Sequence, residues 1–272
     1  MSTEPLRCAG VLIADRSVHT VELVPHRIAG LLAPAVDRVF HAGMLAGRDG
    51  GGAELSQRYG GVAATGFLVD LRTRLAAPGG TVDGPGFAAI TRYGDPVVTR
   101  RVVDKQVAHG MLHRRPDGGL SATERGAAFL TELYQVHAEV TEELWAGQDE
   151  RVLRLLAALG RVLAYALVLA DEEGTQASSA FAAMAPPYEP DGIGSGVLLL
   201  NRLGTLRYHR ADAHAAAWTA AGHTASSIAA LPPGPERVAI ELETDRRAAG
   251  PYAVLGADER LTMLADLAAL PG

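Results

Sequence analysis

The sequence predicts a mainly helical protein in which one short β-hairpin stands among the helices. Three observations lead there. Apolar residues recur at helical spacing through most of the chain, strand-like alternation is confined to residues 111–121, and no strand pattern of useful length follows residue 147. The 272 residues are 48% hydrophobic and 21% charged, an ordinary globular balance with enough chain for two domains.

The elements follow in order. Residues 17–47 carry a helical stripe of Val18, Val21, Leu23, Ile28, Leu31, Leu32, Val36, Val39, Phe40 and Met44. Pro25 and Pro34 must start or kink segments within it, because proline removes a helical hydrogen bond. Residues 47–53, GRDGGGA, read as a flexible break. A helix over 54–77 has Leu68, Leu71 and Leu75 as its stripe, weakened by Gly60, Gly61 and Gly66. APGGTVDGPG, 77–86, reads as a loop, and Phe87 to Tyr93 as a short helix with Gly94 as the turn.

Asp95 is placed to cap a helix with Pro96 at its first position. That helix should run over 96–109 and stop at Gly110 in the left-handed conformation. Its expected buried face is Val98, Val102 and Ala108, with Val103 and Val107 alongside. Two short strands, 111–115 and 119–121, flank Pro116-Asp117-Gly118, a good hairpin turn. Ser121 and Glu124 match a capping box for a helix running to Trp145. Another helix follows from Gln148, then a Pro- and Gly-rich loop over 183–196, then helices near 197–221, 224–231, 235–249 and 257–269.

Short helix, turn, helix, basic hairpin and helix make the order of a winged helix-turn-helix, with 111–121 as the wing. The fold class is therefore mainly α: a winged helix-turn-helix in residues 1–147, followed by an all-helical domain over 148–272. TASSIAAL-PPGPERVAIELETDRRA in the second part repeats the short-helix, turn, long-helix rhythm of a diverged second helix-turn-helix. Over about 54–130, and best over 87–130, the chain resembles MarR-type regulators. GGLSATERGAAFL is similar to the L-T-x-x-G end of their wings, with Ala inserted as L-S-A-T-E-R-G, and the GDP turn is shorter than theirs. The resemblance implies a homodimeric transcriptional regulator that reads DNA with its second helix.

On that helix and wing, Thr99, Arg100, Arg101, Lys105, Arg114 and Arg115 are the candidate DNA contacts. Residues 97–117 hold five basic against two acidic side chains, a local +3 inside a chain of net charge −6. The overall charge opposes generic nucleic-acid binding, so any contact with DNA must be local.

The second cluster is LRYHRADAHAAAW, residues 206–218, similar to a string in actinobacterial helix-turn-helix-containing proteins of unsettled function. Tyr208 belongs to it, and on a helix Arg207, Arg210, His214 and Trp218 form one stripe about 80° wide. The cluster suits a small organic ligand, an anionic aromatic one included, with arginine on a carboxylate and Trp stacking. It equally suits an ion-paired helix face answered by Asp245 or Glu241. If the protein is an enzyme, His209 or His214 would be its acid or base and Asp212 the orienting group. As a metal site H-x-x-D-x-H is poor, because His214 lies about 140° from His209 around the helix.

Other classes drop away. Cys8 is the only cysteine, which excludes an internal disulfide or thiolate cluster and fits a reducing cytoplasm. MSTEPLRCAGVLIADRS has too short an apolar run for a signal peptide, and 155–170, interrupted by Arg161, reads as a buried helix rather than a membrane span. No G-x-S-x-G, H-E-x-x-H, P-loop or C-x-x-C occurs, and GIGSG at 192–196 follows no strand. We expect a cytoplasmic protein with neither cofactor nor metal. A winged-helix scaffold turned to small-molecule binding or catalysis is the competing reading, and a protein-interaction module the third.

Overall fold

A computed structural model describes residues 24–172, 174 and 178–272. Cys8 and the stripe positions Val18, Val21 and Leu23 lie outside the described residues. The chain is mainly helical, with a small antiparallel sheet of three strands in the order β1-β3-β2.

Helix α1 (Pro25–Gly47) has Pro25 in its first turn, where no amide hydrogen is needed, and Pro34 inside it. Ile28, Leu32, Val36, Val39 and Gly43 form its buried face. The expected break after Gly47 is a tight kink, Arg48–Gly52, leading directly into α2 (Ala53–Arg58). The helix expected over 54–77 is instead three pieces: α2, α3 (Val62–Asp70) and α4 (Arg72–Leu75). Gly60 and Gly61 make the first interruption, at φ 111° and 78°, where a side chain would be strained. Leu68, Leu71 and Leu75 are buried all the same.

The expected loop at 77–86 contains a strand, β1 (Thr81–Val82), too short to show a period. Helix α5 (Gly84–Ile90) begins before Phe87, because the Asp83 carboxylate accepts from Gly86 N at 2.8 Å and opens it earlier. Helix α6 (Pro96–Ala108) has its expected ends: Asp95 Oδ1 accepts from Val97 N at 2.7 Å and Val98 N at 3.3 Å, and Gly110 has φ 68°.

The buried face expected of α6 is corrected. Val98 and Ala108 are exposed, Val107 is at the border of exposure, and Val103 and Gln106 are the two buried residues. The helix packs on α3 and the hairpin from one side, which leaves Val97 and Val98 mostly exposed and Val102 partly buried.

Strands β2 (Leu112–Arg114) and β3 (Leu120–Ala122) pair with Leu112 opposite Ala122 and Arg114 opposite Leu120. The turn is closed by Gly118 N donating to Arg115 O at 3.0 Å. Ser121 does not cap the next helix, because it sits inside β3 opposite Thr81 and His113. Thr123 does so, its hydroxyl accepting from Gly126 N at 3.0 Å, and α7 (Glu124–Leu144) follows.

Helix α8 (Asp149–Glu172) and the Pro25–Arg58 stretch are long and apolar enough to cross a membrane by length and composition. In the fold, Leu155, Leu159 and Val162 of α8 lie in a core with α1 and the C-terminal helices. Arg154 and Arg161 on α8 pair with Asp266 and Glu259 of α13 (Ala257–Ala269). Between them come α9 (Ala180–Met184), α10 (Ser195–Ala220), α11 (Ala225–Ala230) and α12 (Pro235–Arg247). The last four helices match the sequence expectation to within two residues at each end; α9 was not expected.

Two large apolar clusters result. One gathers Leu68, Leu71, Val82, Val103, Leu112 and Phe129 around the sheet and α7. The other joins Ile28, Leu32 and Val36 of α1 to α8, α10 and α13, so α1 packs with helices that follow residue 147. Helix α10 is central. Its first half, GVLLLNRLGTL, is apolar on most sides and buried, while its second half carries the polar cluster.

Candidate functional site

Two surfaces collect the residues singled out from the sequence. On α6, Arg100, Arg101 and Lys105 are exposed, Thr99 is half-buried beside the turn, and Val97 and Val98 stand exposed at the start of the helix. The hairpin arginines are answered by acids: Arg114 donates to Asp104 at 2.6 Å, and Arg115 lies 3.6 Å from Asp117. All four side chains are largely solvated, so these pairs are weak and easily exchanged, worth about 0–1 kcal/mol each.

The second surface is the polar half of α10. Arg207 donates to Asp37 on α1 at 2.5 Å, and its guanidinium carbon lies 4.4 Å from the Phe40 ring centre. Arg210 donates to Asp245 at 2.7 Å and Glu241 at 3.3 Å, both on α12. The ion-paired helix face weighed from the sequence is thus present. His214 Nδ1 is 2.8 Å from the Tyr93 hydroxyl, and Trp218 Nε1 donates to the same hydroxyl at 3.1 Å. Tyr208 turns away and donates to Asp70 O at 3.3 Å.

His209, Asp212 and His214 do not form a catalytic constellation. Asp212 accepts from Ser179 Oγ (2.7 Å), Ala180 N (3.1 Å) and Phe181 N (2.8 Å), and also pairs with Arg92. It therefore anchors the start of α9 to the end of α5. His209 meets Phe181 edge-on at 5.3 Å, and burial pushes its pKa down to about 4, so it is neutral at pH 7. His214 is also lowered, chiefly by burial, with Glu241 working in the opposite direction. Among the described residues, no three His, Cys, Asp or Glu side chains are grouped as a metal ion requires.

What the polar half of α10 does line is a pocket of about 460 Å³ between α1, α10 and α12. Ala29, Pro34, Val36, Leu206, Ala248 and Tyr252 give it apolar walls; Asp37, Tyr93, Arg207, Arg210, His214 and Glu241 give it a polar edge. Burial raises the Tyr252 phenol well above its usual range, keeping it neutral. The two arginines are matched by Asp37, Glu241 and Asp245, so the charges near the pocket are largely compensated.

Sequence reasoning missed Tyr93, Arg92 and Asp37. Each is an ordinary residue in its own segment, and its partner lies 120 or more positions away. Compared with family models, curated proteins and solved structures, the chain matches none of them.

Proposed function

We propose that the protein is a MarR-like transcriptional regulator, homodimeric and cytoplasmic, in which α5, the turn, α6 and the hairpin act as a winged helix-turn-helix. The observation that carries this reading is the state of α6. It buries only Val103 and Gln106 and presents Arg100, Arg101 and Lys105 to solvent without an ion-pair partner among the described residues. A helix held by one edge, with free cations outside and a basic hairpin beside it, suits insertion into a major groove. Arg114 and Arg115 would exchange their solvated acids for phosphates.

The pocket between α1, α10 and α12 is the effector site in this reading. Its edge includes Tyr93, which lies in the turn immediately before α6. A ligand that takes His214 or Tyr93 away from the other would loosen that turn from α10. It would thereby favour one placement of α6, provided it binds the two placements with different affinity. With the nearby charges compensated, a neutral or zwitterionic aromatic molecule fits the lining better than a bare anion. Filter binding of duplex DNA tests the reading: salt-dependent retention is expected, weakened in Arg100→Ala and Arg115→Ala, and no retention by the wild type would remove it.

A second reading, a winged-helix scaffold that acts on a small molecule without DNA, is favoured by the pairing of Arg114 and Arg115 with Asp104 and Asp117. Asp104→Asn separates the two. Freeing Arg114 should tighten DNA binding in the regulator and change nothing in the scaffold.

A further inference from the structure

Two apolar side chains at the start of α6 are explained by neither core. Val97 is 62% exposed and Val98 51% exposed. A β-branched side chain loses rotamer freedom in a helix, and at these positions it gains little burial in return. Folding alone gives no reason for two consecutive valines there.

The buried side of the helix fixes where they point. At 100° per residue, Val97 and Arg101 lie within about 30° of the direction opposite the buried pair Val103 and Gln106. Asp104 and Lys105 follow at about 50° to either side, Val98 at about 70° and Arg100 at about 90°. Asp104 is taken by Arg114 at 2.6 Å. Arg100, Arg101 and Lys105 are exposed without an ion-pair partner among the described residues. The outermost surface of α6 therefore begins apolar and becomes cationic one turn further on.

The start of the helix is not an anion site. Asp95 Oδ1 already accepts from Val97 N at 2.7 Å and Val98 N at 3.3 Å, and its charge repels a phosphate. What the first turn offers a partner is its valine side chains.

A DNA major groove matches that order. Thymine presents its 5-methyl group there as an apolar feature among the polar base edges, and phosphates run along both rims. A helix entering by its N-terminal end brings its first turn to base edges and its cations to the backbone.

We propose that Val97 and Val98 meet thymine 5-methyl groups in the major groove, so that the protein selects thymine-bearing duplexes by apolar contact while Arg100 and Arg101 hold the flanking phosphates. The inference rests on the reading of α6 as the DNA-contacting helix.

The test uses the full-length protein and a random-sequence duplex pool enriched on the wild type by filter retention at low salt. The enriched pool is amplified once with dTTP and once with dUTP, giving duplexes of equal charge that differ in the methyl group. Wild type should bind the thymine pool at least about fourfold more tightly, the worth of one buried methyl. In Val97→Ala/Val98→Ala the ratio should fall to near one with the salt slope unchanged. Alanine is the better helix former and both positions are exposed, so this variant should fold.

Absence of salt-dependent retention by the wild type would remove the DNA reading and this proposal with it. Retention with equal affinity for the two pools overturns the thymine assignment alone. So does a preference for the thymine pool that survives the double substitution. A double variant whose self-association in sedimentation differs from wild type would place a second copy on this face and also overturn the assignment.

Discussion

The Tyr93 hydroxyl lies 2.8 Å from His214 Nδ1, joining the turn before α6 to the polar half of α10 across 121 positions of sequence. Trp218 donates to the same oxygen at 3.1 Å, and one residue earlier Arg92 pairs with Asp212. The turn is thus fastened to α10 at two consecutive residues, one of which also edges the larger pocket.

Tyr93→Phe keeps the ring and removes the bridging oxygen. The hydrogen bonds are part-exposed, so a stability loss of about 1 kcal/mol is expected from urea unfolding. The larger effect should be on coupling. Any small molecule that alters DNA affinity in the wild type should alter it several-fold less in Tyr93→Phe, measured as the ratio of Kd values with and without ligand.

Asp212 holds two elements at once, accepting from the first amides of α9 and pairing with Arg92. Asp212→Ala leaves Arg92 and those amides without their acceptor. The pair is not fully buried, so about 2–3 kcal/mol is expected from the shift in denaturation midpoint, below the cost of breaking a fully buried pair. Asp212→Asn should recover part of it, because the amide oxygen can still accept from the backbone. If Asp212→Ala unfolds at the wild-type midpoint, the anchoring role is wrong.

Acid should destabilise the fold through its buried histidines. His209 and His137 titrate in the folded chain at about 4 and about 3, against 6.5 for an ordinary histidine. Below pH 6.5 the unfolded chain binds protons that the folded chain refuses, so stability is full above that pH and falls as pH drops toward the folded values. Each histidine contributes a slope of about 1.4 kcal/mol per pH unit in that window. His209→Gln should flatten the decline between about pH 6 and 4 relative to wild type, read by urea titrations across that range; an unchanged slope would contradict it.

Much of this fold is legible in the sequence because the signals are local. Asp95-Pro96 and Gly110 bound α6 through bonds made within a few residues of each end. Helix α11 is likewise opened by Thr224 and Ser227, and α13 by Glu259 accepting from Gly256 N, through bonds made within three residues. The face of α6 is not legible, because Val97, Val98, Val102, Val103 and Val107 offer several stripes and only packing against α3 selects among them. Ser121 and Thr123 are both plausible caps until β1, too short to be read, pairs with β3 and takes Ser121 into the sheet. Of the α10 stripe, Arg207, Arg210 and His214 line one pocket, while Trp218 is not on its lining. Tyr93 finds its partners on α10, far away in sequence, and no local pattern marks it.

The reading of α6 as a DNA-contacting helix is tested most directly by the salt dependence of duplex binding in wild type and in the Arg100→Ala/Arg101→Ala double variant. If both arginines meet phosphates, log K should fall linearly with log salt in the wild type. The slope should be shallower by about 2 in the double variant, about 1 for each phosphate that an arginine no longer neutralises. Equal slopes in the two proteins, or a wild-type affinity that does not change with salt, would contradict it.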